Sequence, residues 1–236
     1  MRQHAVPLAI ALATLAALPG LAAADERGDR AGDVAGRPPS TLNRPKTPTA
    51  SPDAEGFIRR WLVLEPIPAA GLTQDAVRAA VKAETMSNQT TAIPKDGDSV
   101  DVKGSRLTWN AEETTEYNVN LYHFARSLKK RTSNALFWAV TVVHCPAEMK
   151  DVRLAIGSNA ASVWWVNGRE VVGLYGDRQT VIDDGVSKRL TLKKGPNVVR
   201  CAVVNGAGAT DFCARFLDQD GAPVRAFTVS LDDREP

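Results

Sequence analysis

The sequence is short of the residues that most chemistry requires. Its 236 positions hold only three cysteines and three histidines. One histidine, His4, lies in a leader-like start, which leaves His123 and His144 for the folded part. No spacing of these residues suits a zinc site. There is no G-x-S-x-G elbow, which excludes the usual strand-turn-helix nucleophile; the Gly-Ser pairs are "KGSR" and "IGSN", and neither opens such a unit. Charge of one sign is also lacking. Lys and Arg number 29 against 27 Asp and Glu, a formal charge of +2, with no long basic run. That excludes the electrostatic footprint of a nucleic-acid binder. After the leader no run is apolar enough to cross a bilayer, so no membrane span is expected in the mature chain. No cysteine precedes Cys145, which excludes a lipid-modified cysteine at a cleavage site. No internal repeat is visible.

What is present divides the chain into three parts. Residues 1–24, "MRQHAVPLAIALATLAALPGLAAA", combine an early Arg2, an apolar run and small residues before Asp25. This is the pattern of a signal peptide, and it predicts an exported protein, periplasmic or extracellular. Residues 25–55 are rich in Pro, Gly, Ser, Thr and charge and contain no aromatic residue. Such a stretch buries too little apolar surface to offset its ordering entropy, so a disordered linker is expected. Residues 56–236 remain for one domain.

That domain reads as all-β with one short helix. "TQDAVRAAVKAE", 73–84, places Ala76, Val77, Ala80 and Val81 at helical spacing behind a Thr73 N-cap. "FIRRWLVLEPIP" is a strand that stops at Pro66 and Pro68. The segment from 90 to 106 reads as a long loop, with a strand near Leu107–Trp109. "YNVNLYHF", 117–124, alternates like a strand. "NALFWAVTVVHCP", 134–146, is continuously apolar and β-branched, the signature of a central strand covered on both faces. Short strands separated by turn residues follow, which predicts an antiparallel sandwich or barrel.

The clearest turn is Asn167-Gly168 in "SVWWVNGREVV". A two-residue type I′ turn there pairs Val166 with Arg169, Trp165 with Glu170 and Trp164 with Val171. Adjacent side chains on a strand point to opposite faces, so Trp164 and Trp165 part company. The Trp165 face is the more continuously apolar and is expected in the core. Trp164 is expected near a smaller, partly polar surface. Trp61 and Trp138 are read as core. Cys201 and Cys213 flank "NGAG" and either face each other across a hairpin as a disulfide or pack as buried thiols.

Around this hairpin "VRLAIGSNAASVWWVNGREV", "LTLKKGPNVVRCAVVN" and "DFCARFLDQDGAP" together resemble the galactose-binding-like jelly-roll modules of secreted bacterial carbohydrate-active proteins. The matching positions include Gly157, Ser158, Trp165, Asn167, Gly168, Gly195, Asn197, Phe212, Arg215, Asp220 and Gly221. The resemblance spans about Phe57 to Leu231. It implies a jelly-roll β-sandwich and, through the company such modules keep, carbohydrate as partner or an acetylxylan-esterase-like activity. Where the family pattern carries acidic residues after the Gly-Ser pair, this chain has Asn159, Ala160 and Ala161.

Catalytic parts are hard to assemble. His144, in an apolar run, reads as a hydrogen-bonded structural histidine, and no carboxylate has an evident reason to orient His123. Glu112, Glu113, Glu116, Asp183 and Asp184 lie in polar stretches and read as solvated charges rather than a glycosidase pair. No cofactor is expected. A structural calcium ion is left open, with Asp96, Asp98 and Asp101 in one loop as one source of oxygens. A sugar site needs aromatic platforms and a few placed polar groups. Trp164, Trp109, Tyr122, Tyr175 and Arg178 are the candidates. The expectation is an exported, non-catalytic accessory module that binds carbohydrate. The alternatives are a carbohydrate esterase and a module that binds another exported protein.

Overall fold

The structure, a computed structural model, describes residues 42–83 and 88–234. The leader and residues 25–41 lie outside the described residues. Fifteen strands and two helices make up the described part. In chain order the first are β1 (Leu42–Asn43), β2 (Arg60–Leu64), β3 (Ile67–Pro68), α1 (Gln74–Lys82), β4 (Ser99–Val102) and β5 (Ser105–Thr114). Next come β6 (Val119–Asn120), α2 (Leu121–Ser127), β7 (Ala135–Cys145), β8 (Met149–Asn159), β9 (Ala161–Val166) and β10 (Arg169–Leu174). The last are β11 (Gly185–Val186), β12 (Leu190–Leu192), β13 (Gly195–Asn205), β14 (Asp211–Leu217) and β15 (Thr228–Ser230).

Two antiparallel sheets form. The larger runs β1-β5-β2-β7-β13-β9-β10, with β3 and β15 also on β7 and β4 on β5. The smaller runs β11-β8-β14-β6, with β12 on β8. The continuous apolar run at 135–145 takes the central place that its composition predicts. All eleven residues of β7 are buried, and it pairs with β13 from Ala135↔Asn205 to Cys145↔Gly195. Helix α1 forms as expected, with the Thr73 hydroxyl accepting from the Ala76 amide and Val77 and Val81 buried.

The large sheet is covered on both sides. Between the sheets, Trp61, Phe137, Trp164 and Cys201 meet Leu154, Ile156, Phe212 and Phe216. On the outer face, Leu62, Trp138, Trp165 and Ala202 pack with Trp109 of β5 and with Val77 and Val81 of α1. This double cover corrects the reading of the tryptophan pair. Trp164 is fully buried, with its ring 6.0 Å from Trp61 and 5.5 Å from Phe212, both edge-on. Trp165 is buried on the other face, 5.5 Å from Trp138. Each tryptophan has its own core. An unbroken apolar strand such as "SVWWV" is the mark of that situation.

Four further differences have local causes. The Asn167-Gly168 turn has positive φ at both residues, 52° and 77°, and the first two pairs follow as expected. A bulge then shifts the register, so Val172 rather than Val171 faces Trp164. "YNVNLYHF" yields only the two residues of β6 before α2 begins. Asn120 caps that helix by accepting from the His123 amide at 2.8 Å, and Leu121, Phe124 and Ala125 bury its inner side. "NGAG" is no hairpin. It carries the chain from β13 in the large sheet to β14 in the small one. Cys201 and Cys213 therefore lie in different sheets, and both are free thiols, as is Cys145. Finally, the chain is packed from Leu42 rather than Gly56. Leu42 and Asn43 pair with Thr114 and Glu113, and Ala50 bridges Val229. Among the described residues no helix is long and apolar enough to cross a membrane.

Candidate functional site

The outer face of the large sheet carries an open groove of about 550 Å³. It lies between the 44–49 segment, β2 and the residues after β15. Three guanidiniums (Arg44, Arg60, Arg234), two carboxylates (Asp96, Asp232) and the hydroxyls of Thr47, Thr49 and Ser230 line it. Pro45, Pro48, Ala111 and Leu231 supply the apolar part.

Arg60 is the anchor. It stands on β2 two residues before Leu62 and is only 2% exposed. Burying a guanidinium requires partners, and it has several. Nη2 donates to both oxygens of Glu113, at 3.0 and 3.1 Å, and to the Thr47 hydroxyl at 3.0 Å, while Nη1 donates to Thr47 O at 2.7 Å. This fork ties the 44–49 segment to the sheet. Arg44 pairs with Asp96 at 3.2 Å, and Asp96 also accepts from the Ala111 amide at 2.9 Å. Asp232 accepts from Arg234, and this hydrogen bond holds its carboxyl below the usual range. The cations and acids thus alternate as pairs around the groove.

Ser230, on the groove wall, meets His144 Nε2 at 2.7 Å. That is the separation of a nucleophile and its base. The wiring is reversed, however. Ser230 Oγ donates to Asp232 O at 2.5 Å, and Nε2 also faces that carbonyl at 3.3 Å. A carbonyl only accepts, so Nε2 carries the hydrogen and donates. His144 Nδ1 is buried with no partner, so no carboxylate orients the ring as a triad requires. Ser230 itself is 3% exposed. His144 is thus buried and hydrogen-bonded within its apolar run.

The five candidates read from the sequence do not form one site. Trp164 lies in the inter-sheet core with Nε1 donating to the Ser162 hydroxyl, and presents no face to a ligand. Trp109 is 3% exposed but forms a wall of a second, smaller pocket of about 250 Å³. Tyr175 is half-buried beneath the Arg78 guanidinium, 5.6 Å from its ring centroid, and burial pushes its phenol pKa up. Arg178 pairs with Asp184. Tyr122 is on α2 rather than on a strand, and its hydroxyl accepts from Arg126 at 3.1 Å. Backbone contacts link Tyr122 directly, and Arg178 by way of Asn159, to the 209–210 segment. The Tyr122 amide donates to Thr210 O at 3.1 Å. With its amide turned so that the nitrogen faces them, Asn159 donates to both Ala209 O and Arg178 O, at 2.9 and 3.2 Å. Close by, the 176–184 loop crosses β8 at Gly157, where a Cβ would lie 2.2 Å from Val181 O. None of Tyr122, Tyr175 and Arg178 lines the groove.

The acidic residues have more definite roles than solvated charges. Glu113 holds Arg60, Asp183 holds Arg215 at 2.5 Å and Asp184 holds Arg178. Glu112 is partly buried beside Arg44 and Asp96. Desolvation first, then Asp96, raises its pKa to about 7, against the pull of Arg44. Asp101 stands on β4 rather than in a loop, and Asp98, before that strand, accepts from the Lys95 amide at 2.8 Å. Among the described residues no three His, Cys, Asp or Glu side chains converge as metal ligands would.

Sequence reasoning missed Arg60 and the whole groove. The available signal was an arginine within an otherwise apolar strand, "RRWLVL", which a fold retains only with partners in place. The groove's other residues come from segments far apart in the chain.

No family model matches the chain, and no curated protein does. Looser likenesses exist among solved structures. One is the PA14 sugar-binding domain from an RTX adhesin, 14% identical, covering 72% of this chain and 96% of that one, with a TM-score of 0.39. Another is the PA14 domain of the MpAFP antifreeze protein, 12% identical, covering 79% and 97%, with a TM-score of 0.44. A third is the β-glucosidase from Kluyveromyces marxianus in complex with glucose, 15% identical, covering 67% of this chain and 16% of that one, with a TM-score of 0.35. At such scores these likenesses transfer neither a site nor a ligand to this antiparallel β protein.

Proposed function

We propose that this chain is an exported, non-catalytic module that binds carbohydrate along the Arg60 groove. The lining of the groove is the observation that carries this reading. A sugar hydroxyl both donates and accepts, and a ring also presents apolar C–H faces. The groove offers both complements: alternating guanidiniums, carboxylates and hydroxyls, with proline, alanine and leucine between them. Hydrogen bonds to charged groups are the stronger kind, and a preformed concave surface limits the ordering cost of binding. Export is inferred from residues 1–24 alone.

A glycan array followed by calorimetry on the protein without its leader tests the proposal. Arg44 and Asp232 are surface groups whose loss leaves the core intact. Arg44→Ala and Asp232→Asn should each weaken binding about tenfold, one lost charged hydrogen bond, with Tm nearly unchanged. Absence of binding to any glycan, or binding indifferent to both changes, overturns it.

The contact between Ser230 and His144 favours an esterase as the second reading. The donor wiring of Nε2, the unpartnered Nδ1 and the burial of Ser230 weigh against it.

A further inference from the structure

The second pocket contains an electrostatic anomaly. Arg200 stands on β13 in the apolar run "NVVRCAVV", facing Val140 and Trp165 across the ladder, and is 1% exposed. Arg60, equally buried, has Glu113 as its counter-charge. Arg200 has no carboxylate partner among the described residues. Its Nη1 and Nη2 donate to the backbone oxygens of Gln89 and Ala92, and its Nε is buried with no acceptor. Carbonyl dipoles compensate a buried cation only in part, and buried charges are normally paired. Burial lowers the guanidinium pKa to about 10.

Arg200 also lines a pocket of about 250 Å³, which gives an anion a route to it. Trp109, Ile93, Pro94 and Val100 supply apolar lining, and Asp98 also lines the pocket. The walls favour an anion carried on carbon over a bare inorganic ion. Each Nη group spends one of its two hydrogens on a carbonyl, so three of the five N–H groups remain, Nε among them, and can donate to a carboxylate. The negative Asp98 disfavours a doubly charged group such as phosphate.

We propose that this pocket is a binding site for a carboxylate carried on a compact sugar ring, the chemistry of a uronic acid, with Arg200 as its counter-charge and Trp109 as a wall. The site is separate from the Arg60 groove, so either can exist without the other. The turn that spans Lys95–Asp98 divides them, with Asp96 on the groove side and Asp98 on the pocket side.

Calorimetric titration with glucuronate, galacturonate, glucose and acetate tests the site. The uronates should bind at least tenfold more tightly than glucose and than acetate. Asp98→Asn keeps an acceptor for the Lys95 amide and removes the repelling charge, so uronate binding should tighten severalfold. Arg200→Lys should weaken it tenfold or more, with melting monitored because Arg200 also braces the 88–94 loop. Equal affinity for uronate and glucose, or no response to Asp98→Asn, overturns the site. Acetate binding as tightly as the uronates overturns the sugar ring and assigns the pocket to free carboxylates.

Discussion

Trp164 Nε1 donates to the Ser162 hydroxyl at 2.9 Å, two residues back on the same face of β9, and the Ser158 hydroxyl meets that of Ser162 at 2.8 Å. The polar edge of the indole is thereby satisfied inside the core, and the ring is free to pack against Trp61 and Phe212. The residue is a structural keystone of the inter-sheet layer. Trp164→Ala should cost about 3–5 kcal/mol in urea unfolding, the range for large aromatic truncations. A variant that keeps its full stability and loses only sugar binding would contradict this placement.

The bend at Asn167-Gly168 makes a second prediction. Asn167 also supports β13, its Oδ1 accepting from the Val198 amide at 2.9 Å and its Nδ2 donating to Asn197 at 2.9 Å. A Cβ on Gly168 would sit at φ 77° and 3.1 Å from Thr91 Cγ2. Gly168→Ala should therefore cost roughly 1–2 kcal/mol from the left-handed backbone alone. Asn167→Ala should cost more, because it also strands the Val198 amide. Chemical denaturation that ranks the two in the opposite order would count against this role.

Glu112 makes stability depend on pH. Its folded pKa, about 7, lies above the ordinary 4.5. The folded state therefore holds a proton that the unfolded chain has released between those values, and stability falls as pH rises through that window. Asp96 adds to the effect and Arg44 opposes it. Glu112→Gln should flatten the fall between pH 4.5 and 7. At pH 8 it should stabilise the protein by roughly 1–2 kcal/mol, after discounting for partial exposure. A melting profile with the same slope in both proteins would remove this explanation.

The three thiols should behave as packing groups. Burial raises Cys145 to about 11 and Cys213 to about 12, and Cys201 well above its usual value. Folded protein should react with iodoacetamide very slowly, and denatured protein at all three positions without reductant. Fewer than three reactive thiols in denaturant would signal a disulfide.

Purified protein should not turn over nitrophenyl acetate above the rate of His144→Ala. A rate lost in both Ser230→Ala and His144→Ala would restore the esterase reading, and with it a hydrogen-bond orientation opposite to the one described.

Strand content, the Thr73-capped helix, the buried β7 and the Asn167-Gly168 bend were all legible in the chain, because each depends on local periodicity, capping or a turn residue. Three things were not. The second face of the large sheet was invisible, since its cover comes from α1 and other segments remote in sequence, and so Trp164 read as half-exposed. Helix α2 was hidden because Leu121, Phe124 and Ala125 fit helical spacing within a stretch that also alternates. The Arg60 groove and the Arg200 pocket could arise only after folding. A buried guanidinium is tolerable only beside partners that the chain brings from far away, Glu113 for one and the carbonyls of Gln89 and Ala92 for the other.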